Sequence, residues 1–178
     1  SGKKAKYTIN WILAHDPPEV FEEAAKKFID TVYEKTDGAV QIVAKTSKEY
    51  VAGRGGEHWS NIELNKRLCT GDIQMCHTYV ATLGLLHNRL WAMELPYLFR
   101  DYEHCYKVVD GEFGAELMDG LLPKGVRGFG FAFSGGYRMI PSFGKEIHRL
   151  EDFKGLRLRT SGSPVSNTFM KELGAKPI

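Results

Sequence analysis

The first hydrophobic pattern along the chain is an alternation of apolar residues with polar or smaller ones, carried by Tyr7, Ile9, Trp11 and Leu13. A period of two is typical of a β-strand. Helical spacing follows over 21–32, and Asp16-Pro17-Pro18-Glu19 offers a helix cap and a first-turn proline before it. A second strand is predicted at about 40–45. The segment therefore predicts a β-α-β unit with a parallel strand pair and a right-handed crossover.

Strand and helix patterns continue to alternate along the rest of the chain. Strands alternating with helices indicate an α/β fold class. Gly111 and Gly114 are expected to weaken one long helix that starts at Asp101, because glycine costs about 1 kcal/mol relative to alanine inside a helix. The predicted elements are a glycine-rich loop over 51–60, a helix over 57–68, a strand over 72–80, an apolar crossing over 90–101, the long helix from Asp101, strands over 125–133 and 135–142, a strand over 155–160 and a helix over 165–173.

The double glycine at 135–136 is the predicted crossing between two lobes. Residues 1–134 are then expected to form a first lobe that is incomplete without a later return of the chain. Residues 135–178 are expected to form a crossing strand and the beginning of a second lobe. About forty residues follow the double glycine, which is too few for a second domain.

The amino-acid composition excludes several classes of protein but does not indicate an activity. The chain is 43% hydrophobic and 26% charged, which excludes a disordered or collagen-like protein. Its net charge is +2 and its basic residues are scattered among acidic ones, so nucleic acid is not a predicted partner. No apolar run reaches the roughly 18 residues that span a bilayer, and no signal peptide is recognised. Three cysteines without CxxC spacing predict neither a disulfide framework nor a zinc site.

Motifs that would indicate catalysis are missing from the sequence. Ser134-Gly135-Gly136 lacks the GxSxG spacing of a nucleophile elbow, and the six histidines include no HExxH pair. Glu57 and His58 lie in the glycine-rich loop, but neither phosphate-binding glycine pattern accompanies them. No enzyme, cofactor or metal site is therefore predicted, and a small α/β enzyme that uses Glu57 or His58 remains the least favoured class.

Two arginines occupy alternate positions of the last predicted strand, so Arg157 and Arg159 are expected to point to the same side. Residues 161–163 follow with hydroxyl groups at a predicted helix start, where anions are favoured. These residues alone allow two interpretations, namely a solvated strand face or a guanidinium that binds a carboxylate with two hydrogen bonds. Arg138 in "GGYR" allows the same choice between a structural salt bridge and a ligand contact.

Several longer segments together carry a family resemblance: "LPYLFRDYEH", "GGYRMIPS", "LEDFKGLRLRTSGSP" and "ELGAKPI". With the opening "YTINWILAHDPPEVFEEAAKKFIDTVYEKTDGAVQIVA", they strongly resemble the solute-binding proteins of tripartite ATP-independent periplasmic (TRAP) transporters, the DctP family. The likeness covers nearly the whole chain and is specific because separate motifs agree in register. It implies an α/β, periplasmic-binding-protein-like (type II) two-lobed fold that closes over a solute. This chain is expected to be its N-terminal part only.

The resemblance also implies ligand-binding roles for particular residues. It implies that Arg159 holds the carboxylate of the solute and that Arg138 lines the cleft. Thr78 and Tyr79 are expected to contact the solute at the end of a strand, and His15 is expected to face it from the loop after the first strand. Ser161 is expected to add a hydroxyl group at the helix start.

Partners and location follow from the same resemblance. The expected ligand is a small organic acid, or a sugar or amino-acid carboxylate, and the expected protein partners are the membrane permease subunits of a transporter in the periplasm. Family members normally continue beyond "LGAKPI", so the chain is expected to be truncated and to expose apolar edges that favour a homodimer. The alternative is a ligand-sensing regulatory domain with the same two-lobed architecture.

Overall fold

The computed structural model describes residues 5–15, 19–52 and 59–178, with the side chains of residues 19 and 20 left aside. The predicted helix cap at 16–18 and the loop residues 53–58, among them Glu57 and His58, lie outside the described residues. The chain divides into two compact units, Ser1–Tyr79 and Val80–Ile178. This division differs in position from the lobe boundary expected at 134/135, which stays a prediction for the lobes of the complete protein.

The first unit is built around a three-stranded parallel sheet in the order β2-β1-β3. Tyr7 pairs with Val40 in one register and Trp11 pairs with Met75 in the other. The predicted parallel β-α-β unit is therefore confirmed, although the third strand is shorter than expected. The elements are β1 (Tyr7–Leu13), α1 (Glu19–Lys35), β2 (Val40–Thr46), α2 (Ser47–Ala52), α3 (Asn61–Thr70) and β3 (Met75–His77).

Local capping explains where helix α3 begins and ends. Its start lies later than predicted because Ser60 is extended, and the Ser60 side chain accepts a hydrogen bond from the amide of Glu63. At the other end Gly71 has a φ of 79°, a left-handed conformation that glycine adopts without steric cost. The amide of Gly71 donates to the last carbonyls of the helix, which positions the chain to enter β3.

The core of the first unit lies between the sheet and the short helices. Ile12 of β1 and Leu64 of α3 are completely buried, and Ile73 is nearly so. Tyr50 and Val51 of α2 complete this buried cluster. Burial of a leucine or isoleucine side chain stabilises the fold by about 1.5–3 kcal/mol, so this cluster holds the carboxyl ends of β1 and β3 in place.

The regular structure of the second unit is mainly helical, and the unit ends in a small β-α-β unit. Its two strands β4 and β5 are parallel, with Arg157 opposite Lys176 and Leu158 opposite Pro177. The last predicted helix is confirmed within one residue at each end. The elements are α4 (Val80–Leu83), a 3₁₀ helix (Asn88–Glu94), α5 (Tyr102–Val109), α6 (Glu112–Asp119), further 3₁₀ turns at Leu122–Lys124 and Leu150–Phe153, β4 (Arg157–Leu158), α7 (Pro164–Glu172) and β5 (Lys176–Pro177).

The prediction of one long helix from Asp101 is wrong, because the chain breaks between α5 and α6. Asp101 caps α5 as a helix start should, by accepting a hydrogen bond from the amide of His104 at 2.7 Å. Gly111 then caps α6 with an extended backbone. A Cβ atom on Gly114 would lie 1.9 Å from the carbonyl oxygen of Val109, so this glycine allows α6 to pack closely on the end of α5.

The predicted strands over 125–133 and 135–142 are also wrong for this chain, since residues 126–149 contain no regular helix or strand. A strand is stable only when its amides and carbonyls have partners on a neighbouring strand. Several large apolar side chains of this segment are exposed, among them Phe129, Met139 and Phe143. Within the described ranges, none of the helices has both the length and the apolar character needed to span a bilayer.

Candidate ligand-binding residues

Aromatic side chains of the first unit cluster where β1 and β3 end. Leu13, the last residue of β1, pairs with His77, the last residue of β3. The His77 ring lies 4.0 Å from the ring of Phe21 in α1, and His15 lies 5.7 Å from Phe21 on an edge contact. Tyr79 lies 5.9 Å from His77. The carboxyl edge of a parallel sheet is where ligands of open α/β folds bind, so the cluster is a candidate ligand-contact region.

His77 is the central member of this cluster and was not predicted from the sequence. Burial, together with the nearby His15 imidazole, lowers the pKa of His77 below its ordinary value of 6.5. Its Nδ1 atom is buried and has no hydrogen-bond partner in the structure. The position of His77 at the end of an alternating strand, one residue before Thr78, is the signal that could have identified it.

The structure brings four of the first unit's aromatic residues together, and two of them, His15 and Tyr79, were expected to contact a ligand. Thr78 lies between His77 and Tyr79 at the exit from β3, and all of these side chains are half-buried. Burial raises the pKa of Tyr79, which keeps its phenol protonated. The expected ligand contacts of Thr78, Tyr79 and His15 stay predictions.

In the second unit, strand β4 and the residue that follows it place one buried side chain between two exposed arginines. Leu158 is buried, whereas Arg157 and Arg159 on either side of it are exposed. The predicted alternation is therefore confirmed. The guanidinium of Arg159 is open to solvent in this chain, and its carboxylate-binding role stays a prediction.

Hydroxyl groups converge at the start of α7. The buried Ser163 caps the helix, and its Oγ accepts a hydrogen bond from the amide of Ser166 at 3.1 Å. The Oγ atoms of Ser161 and Ser166 lie 2.8 Å apart, and Thr160 donates to Asn167 at 2.7 Å. These bonds fix the backbone that follows Arg159 and hold Ser161 in a half-buried position.

A buried carboxylate joins two of the predicted residues of the second unit. Glu94 ends the 3₁₀ helix Asn88–Glu94, and only 6% of its side chain is exposed. The Oγ of Ser161 donates to its Oε2 at 3.4 Å, and the Nη2 of Arg138 lies 3.9 Å from its Oε1. Sequence reasoning missed Glu94, although a single acid inside the apolar stretch "LWAMELPYLF" is an unusual position for a charge.

Other features of the described residues do not compete with these two clusters. Within 5–15, 19–52 and 59–178, no three histidine, cysteine or acidic side chains are grouped so that they could hold a metal ion. Two surface depressions, one beside α5 and α6 and one lined by residues 140–148, include none of the predicted ligand-binding residues. Both depressions are open to solvent.

Comparison with known proteins covers almost the whole chain. The family described as bacterial extracellular solute-binding protein, family 7 (DctP), matches residues 14–178. The C4-dicarboxylate-binding periplasmic protein DctP of Rhodobacter capsulatus is 30% identical over 93% of this chain and 46% of its own length. The 2,3-diketo-L-gulonate-binding periplasmic protein YiaO of Escherichia coli is 31% identical over 87% of this chain and 44% of its own length.

Solved structures similar to this chain are also solute-binding proteins of TRAP transporters. A TRAP periplasmic solute-binding protein from Sulfurospirillum deleyianum, with bound succinate, has a TM-score of 0.78 and 27% identity, and the match covers 98% of this chain and 53% of that one. The α/β class of type II periplasmic binding proteins is thereby confirmed as the fold to which this chain contributes. The chain spans about half the length of the relatives that it matches.

Proposed function

The chain belongs to the DctP family of bacterial extracellular solute-binding proteins, and we propose that the complete protein is the extracytoplasmic receptor of a TRAP transporter for a small carboxylate-bearing solute. The observation that carries this proposal is the family match over 14–178, a range that includes every candidate site residue. The relatives cited above are solute-binding proteins rather than enzymes, and the ligands that their names or structures give are acids, including C4-dicarboxylates and succinate.

In the proposed mechanism, Arg159 binds the solute carboxylate. Its guanidinium is planar and donates two parallel hydrogen bonds to the two carboxylate oxygens, which gives both affinity and orientation. The family resemblance supports this role. The side chain of Arg159 is exposed and therefore accessible to a solute, and the buried Leu158 beside it fixes the direction of the chain. The nearby start of α7 adds the favourable potential that a helix N-terminus presents to an anion.

The remaining candidate residues complete the proposed solute contacts. Arg138 adds positive potential or a second contact to the acid, and Ser161 offers a hydroxyl group. In the first unit, Thr78, Tyr79 and His15 contact less charged parts of the solute. The position of all three at the carboxyl edge of the parallel sheet supports this assignment.

Protein partners and location are part of the same proposal. The receptor works in the periplasm, as its relatives' names indicate for those proteins, and it delivers its solute to the membrane permease subunits of the transporter.

The 178-residue chain also forms a homodimer through its exposed apolar residues, such as Phe129 and Phe143. Size-exclusion chromatography with light scattering tests the dimer, and a monomer across a wide concentration range contradicts it.

Binding of organic acids, sugar acids and amino acids to the full-length protein tests the proposed function. A thermal-shift screen identifies ligands because a solute that binds only the folded state raises the melting temperature. Because solute binding in the complete protein is proposed to bury the arginine–carboxylate pair, calorimetry on Arg159→Ala should show a loss of about 2–5 kcal/mol of binding free energy, and Arg159→Lys should not restore it. Arg157→Ala is the matched control, because Arg157 is exposed two residues before Arg159 and has no proposed role. Unchanged affinity in Arg159→Ala contradicts the mechanism.

A further inference from the structure

The buried carboxylate of Glu94 lies beside residues that were expected to bind an anion. Both of its contacts in the described chain, Ser161 and Arg138, are residues that the sequence predicts to bind the ligand. The carboxylate of Glu94 thus already lies beside these two groups. A solute carboxylate that uses Arg138 or Ser161 therefore meets a negative charge there.

The contacts of Glu94 are long for a carboxylate that is so little exposed. A charge-assisted N–H···O bond is usually 2.7–2.9 Å, whereas Arg138 lies 3.9 Å away and Ser161 lies 3.4 Å away. The Arg138 side chain is 79% exposed, so its pairing with Glu94 is weak and easily exchanged. Ser161 has a closer partner in Ser166 at 2.8 Å, so it keeps a hydrogen bond if Glu94 releases it.

The two partners differ in their freedom to move. Only 6% of the Glu94 side chain is exposed. Glu94 belongs to the 3₁₀ helix Asn88–Glu94, which packs against α7. Arg138 lies in the segment 126–149, which has no regular secondary structure. The arginine is thus the member of the pair that can turn towards a solute, while the carboxylate stays in place.

We propose that Glu94 is an internal counter-ion that pairs with Arg138 when no solute is bound, and that the solute carboxylate competes with Glu94 for this arginine. The inference rests on the proposed function. It assigns Glu94 as a positioning residue that lowers the affinity for carboxylates by acting through Arg138. Glu94 weakens binding of every carboxylate-bearing solute, because the solute has to displace it from Arg138.

Glu94→Gln tests the inference, because the amide keeps the shape and a hydrogen-bond acceptor but removes the charge. Calorimetry on the full-length protein with succinate as the probe should show a gain in affinity of about three- to tenfold. If Glu94 instead only held Arg138 in place for the solute, Glu94→Gln would weaken succinate binding, because a neutral amide does not form an ion pair with Arg138. Unchanged or weaker succinate binding in Glu94→Gln overturns the inference.

A double-mutant cycle identifies the residue through which Glu94 acts. In an Arg138→Ala background, Glu94→Gln should gain less than twofold, since the competition that it relieves is already gone. Glu116→Gln is the control, because Glu116 pairs with Arg89 at 3.1 Å on the exposed surface of the same unit, and it should leave succinate affinity unchanged. If the full Glu94→Gln gain persists without Arg138, the inference is wrong.

Two further results separate failure of the inference from failure of the proposed function. Glu94→Asp withdraws the carboxylate by one methylene and should give a smaller gain in the same direction, which provides a second variant if Glu94→Gln does not fold by circular dichroism. If the wild type binds an acid through Arg159 but neither Glu94 variant binds succinate more tightly, the inference alone fails. If no acid binds to the wild type or to either variant, the proposed function fails with it.

Discussion

The imidazole ring of His77 packs against the phenyl ring of Phe21 with centroids 4.0 Å apart, at the sheet edge where β1 and β3 end. This contact and the neighbouring His15 place the imidazole where a positive charge is unfavourable, and the pKa of His77 is lowered from 6.5 by burial first and by His15 second. The described groups that face it are Phe21, His15 and Tyr79, none of them an acid. Folding therefore favours the neutral form of His77.

The pH dependence of stability should report this preference. Because the pKa of His77 is lower in the folded state, the unfolded state binds more protons as the pH falls through 6.5, and the free energy of unfolding decreases there. Above this pH range, neutral His77 makes its full contribution to the free energy of unfolding. Denaturant unfolding of the wild type and of His77→Phe at pH 7.5 and pH 5.5 measures it, and the variant should lose less stability on acidification. His148→Gln, which changes an exposed imidazole, is the control. Equal losses in the wild type and in His77→Phe contradict this account.

Gly114→Ala should destabilise the second unit. Alanine normally favours a helix over glycine by about 1 kcal/mol, but here the added Cβ would lie 1.9 Å from the backbone carbonyl of Val109. Overpacking against backbone costs about 1–3 kcal/mol, so the sign of the substitution reverses. Gly130→Ala is the matched control, since an added Cβ there meets nothing within 4 Å. Thermal unfolding compares the two, and equal melting temperatures would refute the close packing of α5 and α6.

Leu64→Ala should cost about 2–5 kcal/mol of unfolding free energy, because the Leu64 side chain is completely buried between α3 and the sheet. Ile62→Ala in the same helix changes an exposed side chain and should cost about 0.5 kcal/mol or less. Urea denaturation measures both variants. Similar losses at the two positions would show that α3 does not bury the face described.

Cys76 should resist alkylation in the folded protein. Burial raises the pKa of its thiol to about 12, so at pH 8 only about one thiol in ten thousand is the reactive thiolate. Iodoacetamide labelling followed by mass spectrometry of peptides should find Cys76 unmodified until denaturant is added. Rapid labelling of Cys76 under native conditions would show that β3 opens readily.

The sequence predicts some parts of this structure well because their signals are local. The β1-α1-β2 unit follows from an alternation and a helical period that each bury one face, and α7 follows from a serine and a proline at its start. The strands expected over 125–133 and 135–142 did not form, since a strand depends on a partner that local pattern does not reveal. Glu94 was missed for a related reason, because its burial results from packing between distant segments. The roles of Arg159 and Arg138 came from family resemblance and not from geometry.

The hydrogen bonds between β4 and β5 have a consequence for the entropy of solute binding. Ile178 donates to the carbonyl of Leu158 and accepts from the amide of Thr160, so both peptide groups next to Arg159 are fixed by one residue. For the carboxylate binding proposed above, the backbone is thus preorganised, and the conformational penalty falls on the arginine's own torsions, at about 0.5–1.5 kcal/mol. A long, exposed side chain on a rigid main chain lets such a receptor adjust to acids of different shape without reordering a loop for each of them.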